Sequence, residues 1–440
     1  MKAFRTKPGY YWDVILRNMQ KQVSFFKIKK LWKTNKNPIQ IYIHSAFCKS
    51  ICKYCCYRGT TLTEKNKNLY HKYFYKYLPK QIDRYKKIIN SQYINSIYFG
   101  GGTPNTEENL ENLTLAFEKL RDVKCNEKII ELHTGLPITD RTIDVLKKEH
   151  FTTVILCQQT FDKEKLKLEN RMDIANNDLD SIIGKLHGAG INVGMDFIVF
   201  GDGPGRIDTD IDTVLGWENR PDEITVALSF FEKGLDFSNI KNASSKLLQN
   251  GYTIPLLYEN PDVYIKRKPF RFVLKNKFNL FYNTFYSFIP YLVEKSSFEN
   301  FDTSVLGIGS LPGMVKQTFS RVQNTTYSET WDGKKVRYTL YRSLSYKKQL
   351  ENVLKSLPDC LPVGTQIFIK QGQDPYNRCK IEVSSPIQID IKFPPRFPSK
   401  LLNAVRGNFV KETQEKLDRA ESPAKVILNE WEAFDSRCLQ

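Results

Sequence analysis

Between residues 39 and 230 the chain repeats one pattern: a short apolar run, then a longer stretch whose apolar positions recur every three to four residues. The short runs, at 39–45, 94–100, 128–133, 152–158, 192–200 and 223–230, read as strands. The stretches between them, at 64–90, 106–123, 138–150, 176–189 and 207–219, read as helices. Strictly alternating strands and helices imply a parallel sheet with covered faces. Six such units predict an α/β fold, an open (β/α)6 partial barrel of the TIM type. Barrels of this kind carry their chemistry at the C-terminal strand ends.

The first apolar run leads directly into Cys48, Cys52 and Cys55, spaced C-x3-C-x2-C. Three thiolates on one tight loop can hold three irons of a cubane cluster, because soft sulfur ligands suit iron. The fourth iron is then left without a thiolate from this loop, and a cluster with an open iron can bind and reduce a small molecule. A zinc site or unpaired core cysteines are the alternatives. Zinc favours four ligands with a second pair at matching spacing, and the neighbours here are Cys56 and His44. Further along, Gly100, Gly101, Gly102, Thr103 and Pro104 end the second strand. Glycines at a strand end allow close approach of a ligand to backbone. Every residue singled out falls at a strand end: the cysteines after strand one, the glycines after strand two, Glu131 on strand three, Gln159 on strand four and Asp196 on strand five.

The cysteine loop, followed about 45 residues later by the glycine run, resembles the radical S-adenosylmethionine (SAM) superfamily. The likeness is closest to the HemN-like group around oxygen-independent coproporphyrinogen III oxidase, which also includes the heme chaperone and the class C methylases. It rests on Tyr42-Ile-His44 before the cysteines, Glu131, Gln159 before Thr-Phe161, Asn170-Arg171, Asp196 before Phe-Ile-Val-Phe-Gly201, and the Leu-Gly-Ile-Gly-Ser run ending at Ser310. It spans residues 41–310 and is absent from the last ~90. The resemblance implies a [4Fe-4S] cluster on Cys48, Cys52 and Cys55, with SAM chelated at the open iron. It places Gly100, Gly101, Gly102 and Thr103 along the SAM amino group and Glu131 at the ribose hydroxyls. Arg171 would pair with a SAM carboxylate, since guanidinium matches carboxylate bidentately. Tyr42, Gln159 and Asp196 would complete the polar shell. One departure stands out: the porphyrinogen oxidase's additional cysteine would fall at position 57, which is Tyr57 here.

Charge and composition modify this picture at the two ends. Of the net +18, about half lies in residues 1–36, where ten Lys/Arg face one Asp and aromatics interleave. Such a stretch either packs its aromatics on the barrel with a solvated basic face, the preferred reading, or lies on an anionic membrane. No RNA-recognition or helix-turn-helix pattern is visible, so a nucleic-acid substrate is not expected. No run of about 18 apolar residues predicts a transmembrane helix, and the N-terminus lacks a signal-peptide core. With nine cysteines, three of them clustered, a reducing cytosol is expected. The other cysteines, including Cys125 and Cys157, read by default as small buried hydrophobes.

The expected division is a basic aromatic extension (1–37), the barrel core (38–232), an aromatic-rich region covering the substrate (233–345) and an unassigned α+β region (346–440). Within the last, a helix near 346–356, strands at 365–370, 378–383 and 387–392, and a charged helix near 399–432 are expected. The Phe/Tyr-rich run at 252–301 suits a flat or apolar substrate. These features favour a class C methylase that uses two SAM molecules to methylate or cyclopropanate an aromatic or quinone-like small molecule, with a flavodoxin- or ferredoxin-type reductant. Oxidative decarboxylation of a porphyrinogen is the second reading and a heme-binding chaperone the third.

Overall fold

The computed structural model describes residues 10–13, 20–55, 59–172, 175, 177–200, 206–228, 237–253, 270–274, 304–311, 318–322, 325–331, 334–341, 366–371, 380–385 and 388–393. All six expected strands form: β1 (Ile39–Ser45), β2 (Ile94–Gly101), β3 (Cys125–His133), β4 (Thr153–Gln159), β5 (Asn192–Val199) and β6 (Glu223–Leu228). They pair in parallel in the order β1-β2-β3-β4-β5-β6. β1 is buried at every position, as befits a strand covered on both faces. The core runs between the sheet and its helices, through Ile41, Ile97, Phe99, Ile130, Val154, Met195 and Ile224.

A seventh parallel strand, β7 (Ser304–Ile308), pairs with the free side of β1. It was not among the strands expected; its residues had entered only as a glycine-containing motif. Five residues buried throughout offer no alternation to read. Beyond β7 the sheet turns antiparallel through Thr318–Val322, Thr325–Trp331 and Val336–Tyr341, and ends on Gln20–Val23. The mixed α/β fold is thus a partial barrel widened by an antiparallel wing.

Several helices differ from expectation. The stretch 64–90 is not one helix. A 3-10 turn (Glu64–Asn66) leads into the helix Lys67–Lys72, a π-helical turn (Tyr73–Tyr77) and the helix Leu78–Ile89. The stretch 106–123 is α-helical only at Thr114–Leu120, because Asn109 and Leu110 take left-handed φ of 64° and 61°. A short helix at Lys163–Leu168, capped by Asp162, was not foreseen. Asp140–Lys148 and Leu179–Gly188 fall within the expected ranges, and Arg206–Leu215 starts one residue before its own.

The basic extension contains the helix Phe25–Lys33, capped at its N-terminus by Ser24. Ile28 and Trp32 are buried, and the Trp32 indole N–H donates to the Tyr327 hydroxyl at 2.9 Å. Lys27, Lys29, Lys30 and Lys33 face outward. The helix therefore packs its aromatic side on the antiparallel wing and leaves a solvated basic face. Upstream, Tyr10–Asp13 joins a separate four-stranded sheet with Lys380–Ser385, Gln388–Phe393 and Gln366–Gln371. Those three C-terminal strands lie within two residues of their expected positions. The helices expected near 346–356 and 399–432 lie outside the described residues, as does most of the 252–301 aromatic run. Of that run, Tyr252 and Phe272 are buried in the core. Among the described residues no helix is long and apolar enough to cross a membrane.

Candidate active site

The site is assembled where β1 to β5 end. β1 runs out at Ser45, and the chain makes a two-residue strand, Phe47–Cys48, paired in parallel with Thr60–Thr61. Cys48, Cys52 and Cys55 are free thiols, each half-buried. The Cys55 N–H donates to the Cys52 carbonyl at 3.1 Å, which curls the loop. Burial raises the Cys48 thiol, and Thr103, within hydrogen-bonding reach, pulls it partly back. Ligation to a metal would require the thiolate, so loading releases a proton. Cys56 and Tyr57, where the chain departs from the porphyrinogen oxidase pattern, lie outside the described residues.

The glycine edge of β2 is seated against this loop. Gly102 N–H donates to the Ser45 carbonyl at 2.6 Å, and Thr103 N–H to that of Phe47 at 2.8 Å. A Cβ on Gly102 would stand 2.2 Å from the Ser45 oxygen, and one on Gly100 would stand 2.5 Å from Glu131 Oε2. At Gly101, with φ +99°, it would stand 2.2 Å from His44 Nδ1. The three glycines are therefore required by the protein's own packing, before any ligand is considered. Asn105 extends the edge: its side chain donates to the His133 carbonyl and accepts from the His133 N–H, tying the end of β3 to the glycine run. The sequence carried this residue in its Gly-Gly-Gly-Thr-Pro-Asn run without suggesting its task.

Inside the barrel, Tyr42, Tyr98, Ile129 and Ile155 form a small floor, with Cys157 packed against it. Tyr42 hydroxyl and His44 Nδ1 are 3.1 Å apart. Glu131 stands above, accepting from the Tyr98 hydroxyl at 2.5 Å and from the Gly101 N–H at 3.1 Å. Burial raises its carboxyl, and these two donors oppose the rise. Asp196 has one oxygen 4.0 Å from the Cys157 sulfur. Its other oxygen is buried with no hydrogen bond of good geometry, the Thr225 hydroxyl on the neighbouring strand being a donor near the carboxyl. Burial first, then the charges of Glu131 and Glu223, hold its carboxyl well above the usual range. Burial also holds the Cys157 thiol well up, and so protonated. Cys157 is thus a protonated thiol packed on the floor cluster, as the default reading of the scattered cysteines expects.

Gln159 is buried at a register shift between β4 and β5 and has φ +72°. A left-handed non-glycine residue costs on the order of 1 kcal/mol, and such strain clusters at functional sites. Past it, Arg171 is buried, donating to the Tyr54 hydroxyl at 2.9 Å and to the Cys157 carbonyl. Every residue assigned to the site from sequence therefore lies on these adjoining strand ends or on the segment that crosses them. Tyr54, Tyr98, Asn105 and Cys157 are additions from the structure.

Among the described residues no three His, Cys, Asp or Glu side chains converge on a single ion. A cubane does not need that, since each thiolate binds its own iron. Three cysteines on one loop beside a buried arginine suit an iron–sulfur cluster. The unpartnered Asp196 oxygen, below the glycine edge, suits a polar ligand reaching into the barrel.

Residues 42–211 match the model of the Radical SAM superfamily. The heme chaperone HemW of Buchnera aphidicola subsp. Acyrthosiphon pisum (strain APS) is 27% identical over 151 residues, 33% of this chain and 39% of that protein. An oxygen-independent coproporphyrinogen-III oxidase-like protein, HemZ of Bacillus subtilis (strain 168), is 25% identical over 215 residues, 47% of this chain and 42% of that one. Each match thus spans about two fifths of the curated relative's length. Among solved structures, coproporphyrinogen III oxidase (HemN) of Escherichia coli shares the fold with a TM-score of 0.56 at 15% identity, over 76% of this chain and 79% of that one. Proteins of the superfamily use a [4Fe-4S] cluster and SAM. Residues 42–211 are thus similar to the radical SAM superfamily, and the cysteine loop, glycine edge and parallel partial barrel resemble those of its HemN-like group.

Proposed function

We propose that the chain is a radical SAM enzyme whose cluster sits on Cys48, Cys52 and Cys55, and that it methylates or cyclopropanates an unsaturated, aromatic or quinone-like small molecule with carbon from a second SAM. When bound, the reduced cluster supplies the electron that cleaves SAM to methionine and a 5′-deoxyadenosyl radical. The chain's residues divide the remaining work. The Gly100–Gly102 backbone and Thr103 would flank the amino group of SAM. Glu131, held by Tyr98 and Gly101, presents carboxylate oxygens to ribose hydroxyls. Arg171 supplies a buried positive charge for a carboxylate, with Gln159 and Tyr42 closing the shell. Asp196 carries the reading furthest. A buried oxygen without a well-formed hydrogen bond costs stability, and a ligand hydroxyl or ammonium would supply that bond.

Decarboxylation of a porphyrinogen propionate is the second reading, favoured by the +18 net charge, which suits an acidic substrate. Heme binding, the role in the name of the Buchnera relative, finds less support. His187 lies 2.9 Å from the Asp222 carboxylate before β6, and His150 precedes β4, both at the opposite barrel end. His44 and His133 are engaged by Tyr42 and Gly135.

The test is anaerobic: reconstitute with iron and sulfide, reduce, add SAM and cell extract, and quantify 5′-deoxyadenosine and S-adenosylhomocysteine. Both products, lost together in Cys48→Ala, are expected. 5′-Deoxyadenosine alone would overturn the two-SAM chemistry in favour of a dehydrogenase or decarboxylase.

A further inference from the structure

The segment 169–172 does more than carry Arg171. It crosses the cysteine loop and bonds to four residues of it, two on each side of Cys52. Lys53 N–H donates to the Glu169 carbonyl at 2.9 Å. The Asn170 side-chain amide donates to the Ile51 carbonyl at 2.8 Å. Met172 N–H donates to the Ser50 hydroxyl at 3.3 Å, and Arg171 to the Tyr54 hydroxyl at 2.9 Å. These four partners all lie between Cys48 and Cys55. The loop's own backbone bonding is sparse there, so much of its shape comes from this crossing segment.

The crossing segment is itself anchored. Lys163–Leu168 starts on the Asp162 cap. Lys165, buried, pairs with Glu169 at 3.3 Å and lies over the Phe200 ring at 4.8 Å. Phe161 N–H donates to Asp210 at 2.7 Å. At its far end Arg171 N–H returns to the Leu166 carbonyl. Asn170 takes φ +55°, a conformation open chiefly to Gly, Asn and Asp. That turn aims its amide at the loop.

We infer that 169–172 is a strap that pre-forms the cysteine loop for its cluster, and that Asn170 is its positioning residue. The inference rests on the assignment of the cluster to Cys48, Cys52 and Cys55. A loop held in its ligating shape loses less conformational freedom on loading and opens less often afterwards. Arg171 belongs to the same strap, so occupancy at Arg171 and the shape of the loop are mechanically joined.

The experiment compares the reconstituted wild type with Asn170→Gly and Asn170→Asp. The readout is the rate at which a ferrous chelator bleaches the cluster absorbance, together with iron per chain after gel filtration. Both replacements accept φ +55° but remove the amide donor. Bleaching about twofold to tenfold faster is expected in Asn170→Gly, the range of one net hydrogen bond. It should be faster still in Asn170→Asp, where a carboxylate faces a carbonyl. Wild-type rates in both variants would overturn the strap, since a purely conformational role survives either change. Should both variants fail to fold, Ser50→Ala removes one acceptor of the same strap. Bleaching about twofold faster supports it and an unchanged rate overturns it. Cys52→Ala separates the two inferences: iron retained in Cys52→Ala refutes the cluster assignment, whereas its loss there with unaltered Asn170 variants refutes the strap alone.

Discussion

Asp196, half-buried with one oxygen fully covered, and Glu329, buried, are acids of the same sheet on opposite sides of β1, and both carboxyls are held up by desolvation. Their surroundings differ. Glu329, on the antiparallel wing, accepts from Arg84 at 3.0 Å, from the Tyr85 hydroxyl at 2.7 Å and from the Ser310 hydroxyl at 3.4 Å. Ser310 and Gly309 are held in turn by Gln81. Asp196, in the barrel, keeps an oxygen with no well-formed hydrogen bond, beside a second raised carboxyl and a protonated thiol. One acid is a satisfied structural hub. The other is kept under-satisfied at a cost, which folding alone does not explain. The difference separates the part of the sheet that supports from the part that waits for a ligand.

Three substitutions press on this contrast. Glu329→Ala should destabilise most, by about 3 kcal/mol, since it leaves Arg84 and two hydroxyls without their common acceptor. Chemical denaturation would show the loss, while iron bound per folded chain stays at the wild-type level. A change in iron content with no change in denaturation midpoint would reverse the assignment of the two regions. Next, Gly101→Ala forces a Cβ onto His44 at a left-handed backbone and should cost about 2 kcal/mol. Gly190→Ala, also at positive φ but with nothing within 4 Å, should cost only about 1 kcal/mol. Equal losses in thermal melts would mean that the crowding at Gly101 is irrelevant.

The smallest effect is expected from Asp196→Asn, a gain of about 1 kcal/mol in the cofactor-free protein near neutral pH. The sign follows from the raised folded-state carboxyl. The native state binds the proton more tightly than the unfolded chain, so wild-type stability rises as pH falls through the raised value toward the usual ~4. The variant lacks this response, and its advantage should shrink over the same interval. An advantage that grows as the pH falls would contradict the picture, as would undiminished SAM binding by the variant.

Much of this was legible in the chain, for physical reasons that mark where legibility ends. Ile39, Ile41 and Ile43 announce β1 because a strand buried on both faces needs apolar residues throughout. Cys48, Cys52 and Cys55 stand out because their chemistry depends on spacing rather than on tertiary context. β7 is hidden by its five-residue length, and the wing by Ser, Thr, Arg and Tyr residues whose partners lie more than two hundred positions away. The strap was visible only as Asn170 and Arg171. Its hydrogen bonds join positions about 120 residues apart, and no local pattern encodes them.

The π-helical turn Tyr73–Tyr77 has a further consequence, concerning length. Tyr73 donates to the carbonyls of His44 and Gly309, and Gln81, in the next helix, grips Gly309 and Ser310. Two helical segments thus address β1 and β7 with different angular settings, and the wide turn supplies the one-residue slack between them. Closing it to an uninterrupted α-helix with every residue kept would rotate Gln81 by on the order of 90° relative to Tyr73, and the two could no longer reach the same loop. The turn works as a phase joint. Without that wide turn, Tyr73 and Gln81 could not both hold the Gly309–Ser310 loop that leaves β7.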